Sequence, residues 1–301
     1  MVWGKDQTPF KLFDKAGTFL ANVGAFGQGP GEYQLIYDAQ IDEDGGRIYL
    51  LPWNAKSLLA YDLKGQAVQS IPLPGLVPKG VFKVNTKDSL LSVFLLPFEY
   101  LPYIAWTQKF NGEIQDTIRS RHLAIKPDFS NEVYSNKNGA DFDVSLFVFW
   151  ERRPDSLYHY ANGRLNPRFT MDFAKKEIPI HDYKELPRHF LGSTSVEKQL
   201  DENNFTTEVP ADFIMDKESL KGAFYKVEND YLGNLPIPWF PYNCSNGYYT
   251  ANMEPATLKE TLEKYLESAK DIPATDRERM QKLADGIHEN DNNYILYAKL
   301  K

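Results

Sequence analysis

The stretch RIYLLPWNAKSLLAYDLKGQAVQSIPLP, Arg47–Pro74, reads as three short strands separated by two reversals. RIYLLP is rich in residues that favour strands, Trp53 and Asn54 interrupt it, and SLLAY resumes it. Asp62-Leu63-Lys64-Gly65 is then a hairpin signal, because aspartate and glycine tolerate the backbone angles a tight reversal needs. QAVQSIPLP forms the strand after the turn, and DAQIDEDGG, Asp38–Gly46, supplies a fourth upstream. Four strands with no helix between them predict one small antiparallel sheet.

The same pattern recurs. KLFDKAG, LAYDLKG, QKFNG and YHYANG each end a strand in an aromatic residue and turn on a glycine; the aromatics Phe13, Tyr61, Phe110 and Tyr160 are 48, 49 and 50 residues apart. A period near fifty that carries four antiparallel strands is the signature of a propeller blade. AFYKVEND at Tyr225 and YILYAKLK at Tyr297 are taken as the fifth and sixth copies, displaced by an irregular insertion over about 171–215 and a second one over about 255–286. The expectation is an all-β, six-bladed β-propeller occupying residues 1–301 as a single domain. The first mark lies too near the start for its two preceding strands, so the expected ring lacks its N-terminal strands, and the outermost strand of its sixth blade comes from elsewhere.

The second insertion has helical periodicity. Leu258, Leu262, Tyr265, Leu266 and Ala269 fall on one stripe with Pro255 in the first turn, and TDRERMQKLADG offers a capping box, Thr275 with Glu278, ahead of Met280, Leu283 and a closing Gly286. A helical hairpin lying over the loop face of the ring is expected.

Composition narrows the partners. Hydrophobic residues make up 42% of the 301, aromatics a heavy 14%, and the net charge is −7 with no basic run, which argues against a nucleic-acid backbone or an anionic membrane as partner. Cys244 is the single cysteine, so an intrachain disulfide or a thiolate metal cage is excluded, and in PYNCSNG it reads as a small buried side chain. No run of eighteen apolar residues occurs, and MVWGKDQTPF has no signal-peptide pattern.

The loop FGQGPGEYQL, Phe26–Leu35, poses a choice between a phosphate cradle and a bend. A cradle needs successive free N–H groups leading into a helix; here Pro30 removes a donor and YQLIYDAQID alternates as a strand does. The glycines are read as the crossing from one blade to the next, with Glu32 and Tyr33 still able to face a ligand. Because strands in a blade alternate in direction, the inter-blade loops share a face with the loops between second and third strands. That face gathers Gln28, Glu32 and Tyr33, then Trp53 and Asn54, then Phe98, Glu99 and Tyr100, then Trp150, Glu151, Arg152 and Arg153. Aromatics beside carboxylates and guanidinium groups suit binding of a glycan, peptide or partner protein. The competing readings are packing between blades for Trp53 and Trp150, and a solvated face for the two arginines.

No motif for catalysis stands out. The five histidines show no metal-ligand spacing; His181 and His189 with Asp182 and Glu185 could hold a metal, against the plainer reading of a polar loop. No catalytic residue, metal ligand or cofactor is assigned, a divalent cation such as Ca²⁺ being left open. The preferred function is a non-enzymatic ligand-binding propeller; the alternative is a propeller enzyme, a lactonase, lyase or glycosidase with a site at the tunnel mouth.

FDKAGTFLANVGAFGQGPGEYQ, DSLYHYANGRLNPRFTMDF and NDNNYILYAKLK together resemble the six-bladed, NHL-like β-propeller lipoprotein family of Bacteroidales. The resemblance implies export to the periplasm or the outer membrane, with a lipid anchor on a full-length form and no transmembrane segment in this chain. It carries over no catalytic residues.

Overall fold

Residues 8–119, 121–136, 142–174, 177–202, 204–208, 211–236, 244–245 and 247–299 are described by a computed structural model. Two compact units emerge, Met1–Ser135 with Asp141–Ile178, and Asn136–Ala140 with Pro179–Lys301.

The first unit begins with a hairpin, β1 (Phe10–Phe13) and β2 (Phe19–Val23), followed by a short parallel pair, β3 (Ala25–Phe26) and β4 (Glu32–Tyr33), that closes the glycine loop. Three four-stranded antiparallel meanders follow. They are β5 (Ile36–Asp42), β6 (Arg47–Pro52), β7 (Ala55–Asp62) and β8 (Ala67–Val77); then β9 (Gly80–Asn85), β10 (Leu90–Leu95), β11 (Ala105–Lys109) and β12 (Ile114–Ile118); then β13 (Glu132–Asn136), β14 (Asp143–Phe147), β15 (Leu157–Ala161) and β16 (Arg164–Phe169).

In the second unit β17 (Ile180–Glu185) and β18 (His189–Ser195) lead into a side hairpin, β19 (Glu197–Gln199) with β20 (Phe205–Thr207). β21 (Ala211–Asp216) and β22 (Gly222–Phe224) then complete a sheet in the order β17-β18-β21-β22. After the small pair β23 (Glu228–Asn229) and β24 (Leu235–Pro236) comes a three-stranded sheet of β25 (Cys244–Ser245), β26 (Tyr248–Met253) and β27 (Tyr294–Lys299). Between β26 and β27 run two helices, α1 (Pro255–Ser268) and α2 (Ala274–Gly286).

The turns form as their residues dictate. Asp62 Oδ1 accepts from the backbone N–H groups of Lys64 and Gln66, both at 2.9 Å, and Asp14 Oδ1 does the same for Ala16 and Thr18 at 2.9 and 2.8 Å. Gly65 is needed twice over: its φ is +77°, and a Cβ there would lie 1.8 Å from the Asn22 carbonyl oxygen.

Alternation along the strands explains why the central ones look apolar throughout. In the sheet β9–β12, Phe82, Val84, Leu91, Val93 and Trp106 pack toward β5–β8, whereas Val81, Phe94 and Ala105 pack toward Val133, Val144 and Leu146 of β13–β16. Both faces are buried, so polar alternation is lost. A third cluster, with Phe10, Val23, Ile48, Leu50 and Tyr61, joins the first hairpin to β5–β8.

First strands of neighbouring sheets are joined by side chains. Asp38, Gln40 and Asp42, alternate residues of β5, reach β9: Asp38 Oδ2 accepts from Phe82 N at 2.8 Å, and the Gln40 amide exchanges two bonds with the Val84 backbone at 2.9 and 3.0 Å. Asp42 accepts from the Thr86 hydroxyl. The result is an all-β, propeller-like fold of blade-like sheets.

Three expectations are corrected. Residues 171–215 are not an irregular insertion, because they contain β17, β18 and most of β21, the added part being only the β19–β20 hairpin. The fifth turn mark is not Tyr225, which follows β22; the third strand is β21, where Met215 precedes the turning Asp216 in place of an aromatic. Finally, α2 starts at Ala274 after a Pro273 N-cap with no side-chain cap bond, so Thr275 lies inside the first turn and forms no capping box.

The helices are held firmly within their own unit. Leu258, Leu262 and Leu266 of α1 pack with Met280 and Ala284 of α2 and with Leu232, Leu235 and Met253. Arg277 of α2 donates to the Leu266 and Ala269 carbonyls at 2.8 and 2.9 Å, satisfying acceptors left open at the end of α1.

Candidate functional site

The beginnings of the first strands of three successive sheets meet at a cavity of about 510 Å³ in the first unit. Tyr37 lies near the start of β5, Lys79 just ahead of β9, and Glu132 opens β13. Leu35, Ile36, Val133 and Tyr134 add apolar and aromatic wall, and Trp53 and Phe129 pack on each other at its edge with ring centroids 6.2 Å apart and planes inclined at 54°.

Local structure sets each of these side chains. Trp53 and Asn54 form the tight turn between β6 and β7; Asn54 supplies its positive φ of 52°, and Trp53 N donates to the Leu35 carbonyl at 2.9 Å. Phe129 rides a turn in which Asp128 Oδ1 accepts from Ser130 N at 2.7 Å, and the residue is 75% exposed. An aromatic ring this exposed on a fixed turn carries a hydration cost that packing inside the chain does not offset.

At the floor the charges are mutually engaged. The Lys79 ammonium donates to the Phe129 and Asn131 carbonyls, each at 2.8 Å, and to Glu132 Oε1 at 2.6 Å, so its three hydrogens have three acceptors. Glu132 Oε2 accepts from the Tyr37 hydroxyl. Burial pushes the Glu132 carboxyl up to about 7 and the Lys79 ammonium down from its usual value; their contact opposes both shifts, since each charge stabilises the other. The ammonium also sits 5.8 Å from the ring centroids of both Tyr37 and Phe129.

The segment carrying Phe129 is anchored by several residues singled out in the sequence. Arg153 Nε shares its hydrogen between the two Asp155 carboxylate oxygens at 2.9 and 3.0 Å, and Nη2 donates to the Leu123 carbonyl at 2.7 Å, at the end of a single 3₁₀ turn, Arg121–Leu123. Glu151 pairs with Lys126 at 3.6 Å, and Glu99 N donates to the Ile125 carbonyl at 2.9 Å. Asn131 Oδ1 accepts from Phe149 N at 2.9 Å. Arg152 donates to the Phe149 carbonyl at 3.0 Å, Trp150 stands edge-on to Phe149, and exposed Tyr100 stacks on Phe98 at 5.7 Å.

The glycine loop is folded onto its own residues. Glu32 Oε2 accepts from Gly29 N at 2.8 Å inside the loop, and buried Tyr33 donates its hydroxyl to the Val23 carbonyl at 2.7 Å while accepting from Phe10 N at 2.8 Å. Gln28 is exposed at the loop tip. Of the residues expected on the binding face, Trp53 lines the cavity; Lys79, Phe129 and Glu132, which no sequence signal singles out, complete it.

In the second unit, Glu185 pairs with Lys217, and His181 Nδ1 lies 2.9 Å from the Pro179 carbonyl. Among the described residues no group of three or more His, Cys, Asp and Glu is placed to hold a metal. Buried Cys244 has its thiol pushed up to about 11 by burial, which leaves it unreactive at neutral pH. No helix among the described residues is long and apolar enough to cross a membrane.

Fold and cavity define a propeller-like all-β protein with an aromatic pocket at the starts of adjacent first strands. The chain belongs to the family described as a domain of unknown function, DUF4934, whose model matches residues 1–299. A protein of Bacteroides fragilis, described as a candidate exported protein, is similar in fold, with a TM-score of 0.61 at 14% identity over 96% of this chain and 84% of that one. A member of the DUF4221 family from Bacteroides vulgatus gives a TM-score of 0.48 at 12% identity, over 71% of this chain and 74% of that one. No curated protein matches the chain.

Proposed function

We propose that this protein is a non-enzymatic binding propeller and that the cavity lined by Trp53 and Phe129 receives its ligand, a portion of a glycan, a peptide or a partner protein. The observation that carries the reading is the convergence of three first strands on one aromatic-walled cavity of about 510 Å³, within the range of roughly 300–1,000 Å³ usual for ligand pockets. Its charged groups favour binding over catalysis. Lys79 and Glu132 hold each other and the Phe129 turn, which supports a structural part for the pair at the cavity floor.

Six blades and export belong to the same proposal. The near-fifty-residue period supports the count, and the description of the Bacteroides fragilis protein as exported supports a location outside the cytoplasm; the lipid anchor rests on the sequence resemblance alone.

The test is a thermal-shift screen of the whole chain against oligosaccharides and peptides, since a ligand that binds only the folded form raises its stability. Hits are then repeated on Trp53→Ala. The expected result is at least tenfold weaker binding with little change in the unliganded melting temperature, because Trp53 is a partly exposed turn residue. Hits that bind Trp53→Ala as well as the parent, or a screen without hits, would count against the cavity as the site.

A further inference from the structure

We infer that the outer edge of β27 is an interface for a second copy of this chain, the two strands pairing antiparallel across a two-fold axis. The inference is independent of the Trp53 cavity. Four of the blade-like sheets are completed by a fourth strand, β8, β12, β16 or β22, whereas in the sheet β25-β26-β27 no described strand follows the third. Half of the backbone N–H and C=O groups of β27 turn away from β26, as alternation in an antiparallel ladder requires, and no described strand takes them up.

The four outer strands carry features that deter a further partner: Pro72 and Pro74 in β8, Asp116 in β12, Pro167 between Arg164 and Arg168 in β16, and a length of only three residues in β22. β27 has no proline and a single charge, Lys299, at its end. Its two faces differ. Tyr294 and Leu296 pack into the core, while Ile295 and Tyr297 point the other way and are 44% and 74% exposed, with exposed Tyr248 diagonally across on β26. Ala298 lies on the core face and is exposed as well, which an uncovered edge accounts for.

Self-complementarity selects a second copy as the occupant. Residues directly opposed in an antiparallel pair share a face, so a two-fold axis perpendicular to the sheet at Leu296 sets Ile295 against Tyr297 of the second copy, twice by symmetry, and Tyr294 against Ala298. Aromatic against β-branched is a favourable cross-strand pair, and the exposed Ala298 is covered at the same time. Charge agrees with this direction. Glu289 and Asp291 precede the strand and Lys299 closes it, so an antiparallel copy brings each lysine towards the other's acids, whereas a parallel one aligns like with like. Two three-stranded sheets thereby become one of six.

Sedimentation velocity on the whole chain, from low micromolar to several hundred micromolar, reads the association, and amide hydrogen exchange reads the strand. The expected result is a dimer in which exchange from Ile295 to Lys299 slows as concentration rises. Two double variants test the register. Ile295→Lys with Tyr297→Lys opposes like charges at both pairs; Ile295→Lys with Tyr297→Glu removes the same apolar surface but opposes unlike charges, and should dimerise at least tenfold more tightly than the first. Both sites are exposed, so both variants are expected to fold, and the concentration dependence of exchange in the parent decides the case if either does not. A parent that stays monomeric throughout, a dimer whose β27 exchange does not change, or two variants that associate equally overturns the inference. In a monomer, protection of β27 at every concentration would show that another segment of the chain covers the edge.

Discussion

Replacing Lys79 by methionine keeps the length of the side chain and removes its charge, which tests whether the ammonium holds the cavity together. The substitution strands the buried Asn131 carbonyl and the part-buried Phe129 carbonyl, and leaves Glu132 without the cation 2.6 Å away. Breaking a buried pair by removing one partner costs about 3–5 kcal/mol. The lower end applies here, because the Glu132 side chain retains 32% exposure. In the variant the burial of Glu132 is no longer opposed by the ammonium, so its carboxyl is pushed further above the ordinary carboxylate range than in the parent. A carboxyl whose folded value lies above its unfolded one contributes stability that is fully present below the unfolded value and is lost as pH rises through the folded one. Lys79→Met should therefore be less stable at pH 8.0 than at pH 5.5, by about 1 kcal/mol once exposure is allowed for, since a tenfold difference in proton affinity between folded and unfolded chain is worth at most about 1.4 kcal/mol. Urea unfolding of parent and variant at the two pH values measures this, and adding Glu132→Gln to the variant should abolish the extra pH dependence. A loss below about 1 kcal/mol at pH 8.0, or a variant that gains stability from pH 5.5 to pH 8.0 relative to the parent, would refute the reasoning.

Tyr33→Phe removes a buried hydroxyl that bonds both Phe10 N and the Val23 carbonyl, so a loss of about 1–3 kcal/mol is expected in urea, with any ligand affinity at the Trp53 cavity unchanged. Leu262→Ala opens a hole where α1 meets α2; it should cost about 2–5 kcal/mol and sensitise residues 255–286 to limited proteolysis, whereas unaltered cleavage would show that the helices are a dispensable appendage.

Much of the architecture is legible because its signals are local. Asp62 with Gly65 and Asp14 with Gly17 announce hairpins through their own side chains and angles, and Leu258, Leu262 and Leu266 announce a helix through spacing alone. The fifth blade-like sheet is obscured by one residue, Met215 at the position other copies give to an aromatic, which moves the apparent mark to Tyr225 and makes β17 and β18 look like an insertion. Trp53 is readable because it sits in the turn between second and third strands. Lys79, Phe129 and Glu132 are not, because they come from connections in different sheets and obey no spacing; their common signal is position, the approach to a first strand, and it emerges only once the strands are counted correctly. Arg153 and Tyr33 carry chemistry that suits a ligand equally well, and only the carbonyls around them reveal that the structure itself has claimed it.

The stitching of β5 to β9 has a bearing on how such a chain can change over time. Asp38 and Gln40 grip the amides and carbonyls of Phe82 and Val84, groups that stay put whatever residue occupies those positions. At these two points one side of the seam is written in side chains and the other in no sequence at all. Mutations that accumulate along β9 can remodel its packing layers while the join persists, so neighbouring blades are free to diverge one at a time.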